Sequence, residues 1–243
     1  MKVIMDERGK KYLIPQDKEF QSDLGIIKKE QMERATIGDT LTTHLGKDFK
    51  VIKPNVNDFI DLMDRRCSIL IQKDIGVVLS HTGLGSGDRV VDAGTGAGAS
   101  ALNFGNVVGK TGHVTSYEIR EDFAKVASKN IENFGLTNII IKNQDIKEGI
   151  EEEDLDLVFL DLPKPYEIFE SVWDSLKLGG WLAVYAPYVE QAELAYNISK
   201  KLGFSNIDIL ETLERGIEVR NQGMRPKTRM VGHTGYLIFA RKL

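Results

Sequence analysis

Val90-Val-Asp-Ala-Gly-Thr-Gly-Ala-Gly98 is a short apolar run that ends in an acid and three alternating glycines. The apolar run predicts a buried strand, and the glycines let the chain turn sharply while its backbone approaches a ligand. A loop of this kind cradles either a dinucleotide or S-adenosylmethionine (SAM). The loop alone does not choose between them. Gly94, Gly96 and Ala99 also satisfy the dinucleotide fingerprint with alanine in third place, and Glu118 sits about where that fingerprint places its ribose acid.

The pattern around this loop narrows the choice. From Asp88 onward the chain alternates strand and helix signals. Strands are predicted over 89–93, 113–118, 138–142, 155–161, 181–186, 207–213 and 235–240, and helices over 97–107, 121–134, 166–175 and 189–202. Such alternation implies a doubly wound parallel sheet. The last two strands have no helix between them, only the connection 214–234, so the final strand is expected to run antiparallel. A seven-stranded α/β sheet with a reversed last strand is the Rossmann-like variant of SAM-dependent methyltransferases, whereas dinucleotide folds continue with parallel strands. The third glycine, Gly98, points the same way. Upstream, residues 1–50 alternate short apolar stretches with turn-like clusters, and short helices are predicted over 58–63 and 73–82. The expected organisation is a small β-rich N-terminal domain over 1–55 and a methyltransferase catalytic domain over 56–243.

Composition sets outer limits. The chain has 243 residues, 42% hydrophobic and 28% charged, as expected for a globular protein with one catalytic domain and a small appendage. No apolar run approaches the ~20 residues that span a bilayer, and the charged start of the chain is unlike a signal peptide. A single cysteine, Cys67, excludes an internal disulfide and a Cys-based metal cluster, and the four histidines show no metal-ligand spacing. A cytoplasmic protein with no metal and no membrane partner is expected. The net charge of −4 conceals a basic C-terminal stretch holding Arg215, Arg220, Arg225, Lys227, Arg229, Arg241 and Lys242. Arg225, Lys227 and Arg229 fall within five positions and are candidates for phosphate contact; the alternative is a solvated surface.

Strand ends of a doubly wound sheet point into the ligand crevice. Taken in order they present Asp92 with Gly94, then Glu118, Asp145 and Asp161. The two oxygens of Glu118 suit the two ribose hydroxyls of SAM. Asp145 can accept from the adenine amino group, or can cap a helix that begins at Lys147. Asp161-Leu-Pro-Lys-Pro-Tyr166 follows the fourth strand, and its two prolines make a stiff extended loop that holds the carboxylate at the crevice mouth. This loop resembles the (Asp/Asn)-Pro-Pro-aromatic loop of amino-group methyltransferases, in which the polar residue meets the target N–H and the aromatic, here Tyr166, stacks on its ring. A rigid structural turn is the alternative. Cytosine C5 methylation needs a cysteine nucleophile, and Cys67 stands in no Pro-Cys setting. His233 reads as a satisfied structural histidine.

Taken together, these pieces resemble the TrmI family of tRNA (adenine-N1)-methyltransferases, which modify position 58 of the T-loop and, in some archaeal members, position 57. The most specific stretch is Arg225-Pro-Lys-Thr-Arg-Met-Val-Gly-His-Thr-Gly-Tyr-Leu237 with Phe239-Ala-Arg-Lys242, followed by the Asp161–Tyr166 loop and the glycine loop; Lys73-Asp74-Ile75 is a weaker match. The resemblance implies SAM contacts at Ala97, Gly98, Ala99, Ser100, Glu118, Gln144, Asp145 and Asp161. It also implies a catalytic role for Asp161, tRNA as partner and a homotetramer. The chain departs from the family pattern at Ser68-Ile-Leu-Ile-Gln72, where Ile71 replaces an aromatic, at Tyr166 in place of Trp, and at Ile217 in place of Trp. These departures bear on how the adenine is stacked, not on the cofactor loop or Asp161.

Two rival functions share part of this signature. An isoaspartyl-type methyltransferase acting on protein or a small molecule would use the same cofactor loop but leaves the basic C-terminal motif unexplained. A non-catalytic tRNA-binding paralogue would have lost the glycine loop or Asp161, and both are present.

Overall fold

The computed structural model describes residues 2–14 and 18–243. The chain divides into two compact units, Met1–Asp64 with Asn133–Gly135, and Arg65–Glu132 with Leu136–Leu243.

In the first unit the described strands are β1 (Val3–Asp6), β2 (Lys11–Leu13), β3 (Phe20–Ser22), β4 (Gly25–Ile27), β5 (Thr40–Thr42) and β6 (Asp48–Ile52), with helices α1 (Lys29–Arg34) and α2 (Val56–Leu62). Strands β2, β1, β6 and β5 form an antiparallel sheet in that order, and β3 and β4 form a separate hairpin. Alternating apolar residues supply the core: Ile4, Phe20, Ile27, Phe49 and Val51 are buried. The rings of Tyr12, Phe20 and Phe49 meet edge to face with centroids 5.0–5.9 Å apart. Helix α2 starts at Val56, two residues before the expected position. Asn55 caps it, accepting from the Asp58 N–H at 2.8 Å while the Asp58 carboxylate accepts from the Asn55 N–H at 3.0 Å.

The second unit carries α3 (Gln72–Thr82), β7 (Arg89–Ala93), α4 (Ala99–Val108), β8 (His113–Tyr117), α5 (Glu121–Phe134), β9 (Ile139–Lys142), β10 (Leu155–Leu160), α6 (Phe169–Ser175), β11 (Leu176–Ala186), α7 (Val189–Leu202), β12 (Ser205–Glu211), β13 (Ile217–Arg220), β14 (Gly223–Pro226) and β15 (Tyr236–Arg241). Its main sheet has seven strands in the order β12-β15-β11-β10-β7-β8-β9. Neighbours from β11 to β9 are parallel, while β15 runs antiparallel to both β11 and β12. This is the expected sheet with its reversed last strand. Parallel neighbours need a crossover, which the helices supply, whereas β15 returns from β12 without one. The central strand β10 is apolar and buried on both faces apart from Asp156 near its start, as befits a strand inside a parallel sheet.

Several boundaries differ from expectation for local reasons. Helix α4 begins at Ala99 instead of residue 97, because Gly98 takes a left-handed conformation (φ +89°) just outside it. The segment after the proline loop opens as a 3₁₀ turn, Pro165–Ile168, before α6 proper. Strand β11 reaches back to Leu176 through an irregularity opposite β10. The connection 214–234 is not a plain loop, since β13 and β14 form an antiparallel hairpin within it. No helix among the described residues is long and apolar enough to cross a membrane.

Candidate active site

The strand ends meet as the doubly wound topology requires. Asp92 is the penultimate residue of β7 and is buried. Its Oδ2 accepts from the Ser116 hydroxyl, which is also hydrogen-bonded to Thr95 at 2.6 Å, while Oδ1 has no partner. Burial, helped by the nearby charges of Asp161 and Glu118, pushes the Asp92 carboxyl up to about 7.

The glycine loop packs too tightly for side chains. Gly94 sits at φ +90°, and a Cβ there would lie 2.1 Å from the Asp161 carbonyl oxygen. Gly94 N–H donates to the Tyr117 carbonyl at 3.0 Å, and Asp161 N–H to the Ala93 carbonyl at 2.9 Å. A Cβ on Gly96 would lie 2.9 Å from the Cys67 sulfur. The Gly96 N–H instead donates to Glu118 Oε2 at 2.9 Å, and the Arg120 N–H donates to Oε1 at 2.9 Å. Glu118 is thus buried and locked by the backbone, with one lone pair on each oxygen left for a diol. Ala97 and Ala99 are buried and Ser100 is half-buried in the first turn of α4, whose leading N–H groups lack a side-chain cap.

Asp161 follows β10 directly. Among the described residues its carboxylate has no hydrogen-bond partner, and burial pushes it up to about 6. Pro165 starts the 3₁₀ turn, and Tyr166 packs half-buried against the core under the loop. Gln191, in the first turn of α7, donates to the Pro163 carbonyl at 3.3 Å. Across β8 and β9, Gln144 and Asp145 line a concavity with Tyr117 and Ile150. Asp145 caps the 3₁₀ turn Ile146–Glu148 by accepting from the Lys147 N–H at 3.0 Å. The capping role is therefore realised, and a second carboxylate oxygen remains beside the concavity.

Sequence reasoning missed a buried cluster that roots the C-terminal segment. Lys73 Nζ donates to Asp74 Oδ1 and to the Thr234 hydroxyl, both at 2.7 Å, and that hydroxyl donates to Asp74 Oδ2 at 2.8 Å. The Lys73 and Asp74 side chains are only 5% and 1% exposed. Tyr185, at the end of β11, donates to the Thr234 carbonyl. His233 is a satisfied structural histidine. Its ring nitrogens face Glu211 Oε1 at 2.7 Å and the Pro187 carbonyl at 2.9 Å, and these two acceptors raise its pKa. Lys73-Asp74 was visible as a motif, but its partner lies 160 positions away, and nothing local signals such a pairing.

The basic stretch lies on the hairpin and beyond. Arg225 Nε donates to Glu218 Oε2 at 3.2 Å and Arg220 donates to Glu218 Oε1 at 2.8 Å, so Arg225 is paired within its own hairpin. Lys227 and Arg229 are exposed.

Residues 50–225 match the family described as the tRNA methyltransferase complex GCD14 subunit. The chain belongs to this family. Relatives of this GCD14-family chain include the tRNA (adenine(57)-N(1)/adenine(58)-N(1))-methyltransferase TrmI of Methanocaldococcus jannaschii, 39% identical over 99% of this chain and 94% of that one. The tRNA (adenine(58)-N(1))-methyltransferase TrmI of Thermus thermophilus is 29% identical over 99% and 96%. Among solved structures, a SAM-dependent O-methyltransferase of Thermotoga maritima superposes with a TM-score of 0.91 at 34% identity, covering 100% of this chain and 92% of that one. The tRNA (m1A58) methyltransferase TrmI of Aquifex aeolicus gives 0.81 at 28% identity, covering 100% and 96%.

Proposed function

We propose that this GCD14-family chain methylates N1 of adenosine in the T-loop of tRNA, at position 58 with 57 as a further target, using SAM. The observation that carries this reading is Asp161. It is a carboxylate without a protein partner, held at a strand end between the glycine loop and a proline-stiffened turn.

The residues fit SAM. Gly94, Gly96, Ala97, Gly98, Ala99 and Ser100 bring bare backbone and the start of α4 to the methionine moiety, Glu118 offers two acceptors to the ribose, and Gln144 and Asp145 flank the adenine position. When bound, SAM supplies an electrophilic methyl on a sulfonium cation, which the carboxylates of Glu118 and Asp161 favour electrostatically.

Adenine N1 has an in-plane lone pair, so no proton leaves before attack, and positive charge develops on the ring as the methyl is transferred. Ionised Asp161 accepts from the N6 amino group, orients the ring and stabilises that charge. Tyr166, half-buried under the same loop, meets the base through the part of its side chain left exposed. In folded tRNA the base is extruded at a cost of about a few kcal/mol, which phosphate contacts from Arg225, Lys227 and Arg229 help offset.

The working form is a homo-oligomer, a tetramer by family resemblance, in the cytoplasm. Its support here is the apolar surface of the C-terminal arm: Leu213, Ile217, Val219, Met224 and Val231 are each more than half exposed.

The deciding experiment is methylation of an unmodified tRNA transcript, followed by mapping of the product. N1-methyladenosine in the T-loop is the expected result. Methylation of isoaspartyl peptide with none on tRNA would overturn the reading.

A further inference from the structure

The crevice presents three carboxylates at its strand ends, Glu118, Asp145 and Asp161. That field attracts a sulfonium and repels a phosphodiester chain, so RNA needs cations at the rim. Most nearby cations are engaged. Lys73 is buried on Asp74, Arg120 is paired with Asp122 at 3.0 Å, and Lys147 and Lys164 both pair with Glu167. Arg65 and Arg66 differ. Both are exposed, and among the described residues neither makes a hydrogen bond or ion pair.

Their position is set by the residue that follows them. Residues 63–71 form no regular element, yet the segment is pinned at Cys67, whose sulfur lies 2.9 Å from where a Gly96 Cβ would stand. Leu70 is buried beyond it. Arg66 is therefore the immediate chain neighbour of a side chain that touches the cofactor loop.

We propose that Arg65 and Arg66 form a phosphate clamp that holds the RNA backbone next to the extruded adenosine, on the cofactor-loop side of the crevice; this rests on the reading of the chain as a tRNA methyltransferase. Guanidiniums on two consecutive residues each offer a fork-shaped donor pair that matches phosphate oxygens. The basic hairpin, by contrast, is partly neutralised by Glu218.

The test compares wild type with Arg65→Gln/Arg66→Gln and Arg65→Lys/Arg66→Lys, measuring affinity for an unmodified tRNA transcript across a salt series and SAM affinity by calorimetry. The Gln pair should bind tRNA about tenfold more weakly near 0.1 M salt and flatten the log affinity–log salt slope by roughly 1.4–1.8, as expected when two phosphates are no longer neutralised. Its SAM affinity should stay within about twofold, and the Lys pair should keep most of the slope, because it keeps the charges. An unchanged slope in the Gln pair, with wild type methylating tRNA normally, overturns the clamp alone. Equal loss of SAM binding overturns it in favour of a cofactor role. Wild type that neither binds nor methylates tRNA overturns the clamp together with the function on which it rests.

Discussion

At the scale of single residues, Gly94 and Asp161 constrain one another, because the backbone of one occupies the space a side chain on the other would need. Gly94→Ala places a methyl 2.1 Å from the Asp161 carbonyl at φ +90°, so the loop must shift. SAM affinity by calorimetry should fall by at least about tenfold, with a smaller effect on thermal stability, because the strain is confined to the loop. Asp161 also sets a pH dependence. Its folded value of about 6 means that it ionises as pH rises through 6, so single-turnover methylation should climb across that region and then level. Asp161→Asn should be slow at every pH and lack this rising limb while still binding SAM; a retained limb would remove Asp161 from the chemistry. Stability follows the opposite course. Asp92 near 7 and Asp161 near 6 titrate above their unfolded value of about 3.9, so the folded state binds more protons between about pH 4 and 7. Ligand-free protein should therefore lose stability as pH rises through that window. Thermal melts of Asp92→Asn should show a shallower decline.

At the scale of elements, the hairpin of β13 and β14 presents the basic stretch. Its signal is present in the sequence: Ile217 and Val219 alternate with Glu218 and Arg220, and Asn221-Gln222 makes a two-residue turn before Gly223. It reads as loop all the same, because its apolar side chains cover no core of their own chain, and burial is what makes an alternating pattern persuasive. The Arg225–Glu218 pair is exposed on both sides and holds the hairpin only weakly. Replacing Arg225, Lys227 and Arg229 with Ala should weaken tRNA binding and flatten the salt slope by about 0.7–0.9 for each phosphate no longer neutralised, leaving SAM affinity unchanged. If the triple variant instead sediments as smaller species and its activity follows assembly, these cations serve the subunit interface. The root of this segment is firmer, since residues 233 and 234 are tied to Lys73, Asp74, Tyr185, Pro187 and Glu211. Both partners of His233 are acceptors, so the ring is best satisfied as an imidazolium, which is the cause of its raised pKa.

At the scale of the whole molecule, the exposed apolar side chains of residues 213–231 are where the proposed assembly is tested. Ile217→Glu/Val219→Glu adds charge to positions 53% and 74% exposed and should leave the fold of the single chain intact. Sedimentation should show wild type as an oligomer and this variant shifted to smaller species; identical sedimentation would detach the hairpin from assembly.

Periodicity along the chain determined the doubly wound sheet and its reversed last strand, because strand and helix repeats and the missing crossover are local facts. The glycines, Glu118 and Asp161 with the two prolines that follow it were legible for the same reason: each depends on backbone freedom or on a strand end. What the tertiary structure alone decided concerns pairings between distant positions. Cys67 crowds the space beside Gly96, Asp92 keeps an unpartnered oxygen in the core, and Lys73 and Asp74 close on Thr234 across 160 residues. Burial and charge at such points belong to neighbours that only folding brings together, and a single sequence leaves no local mark of them.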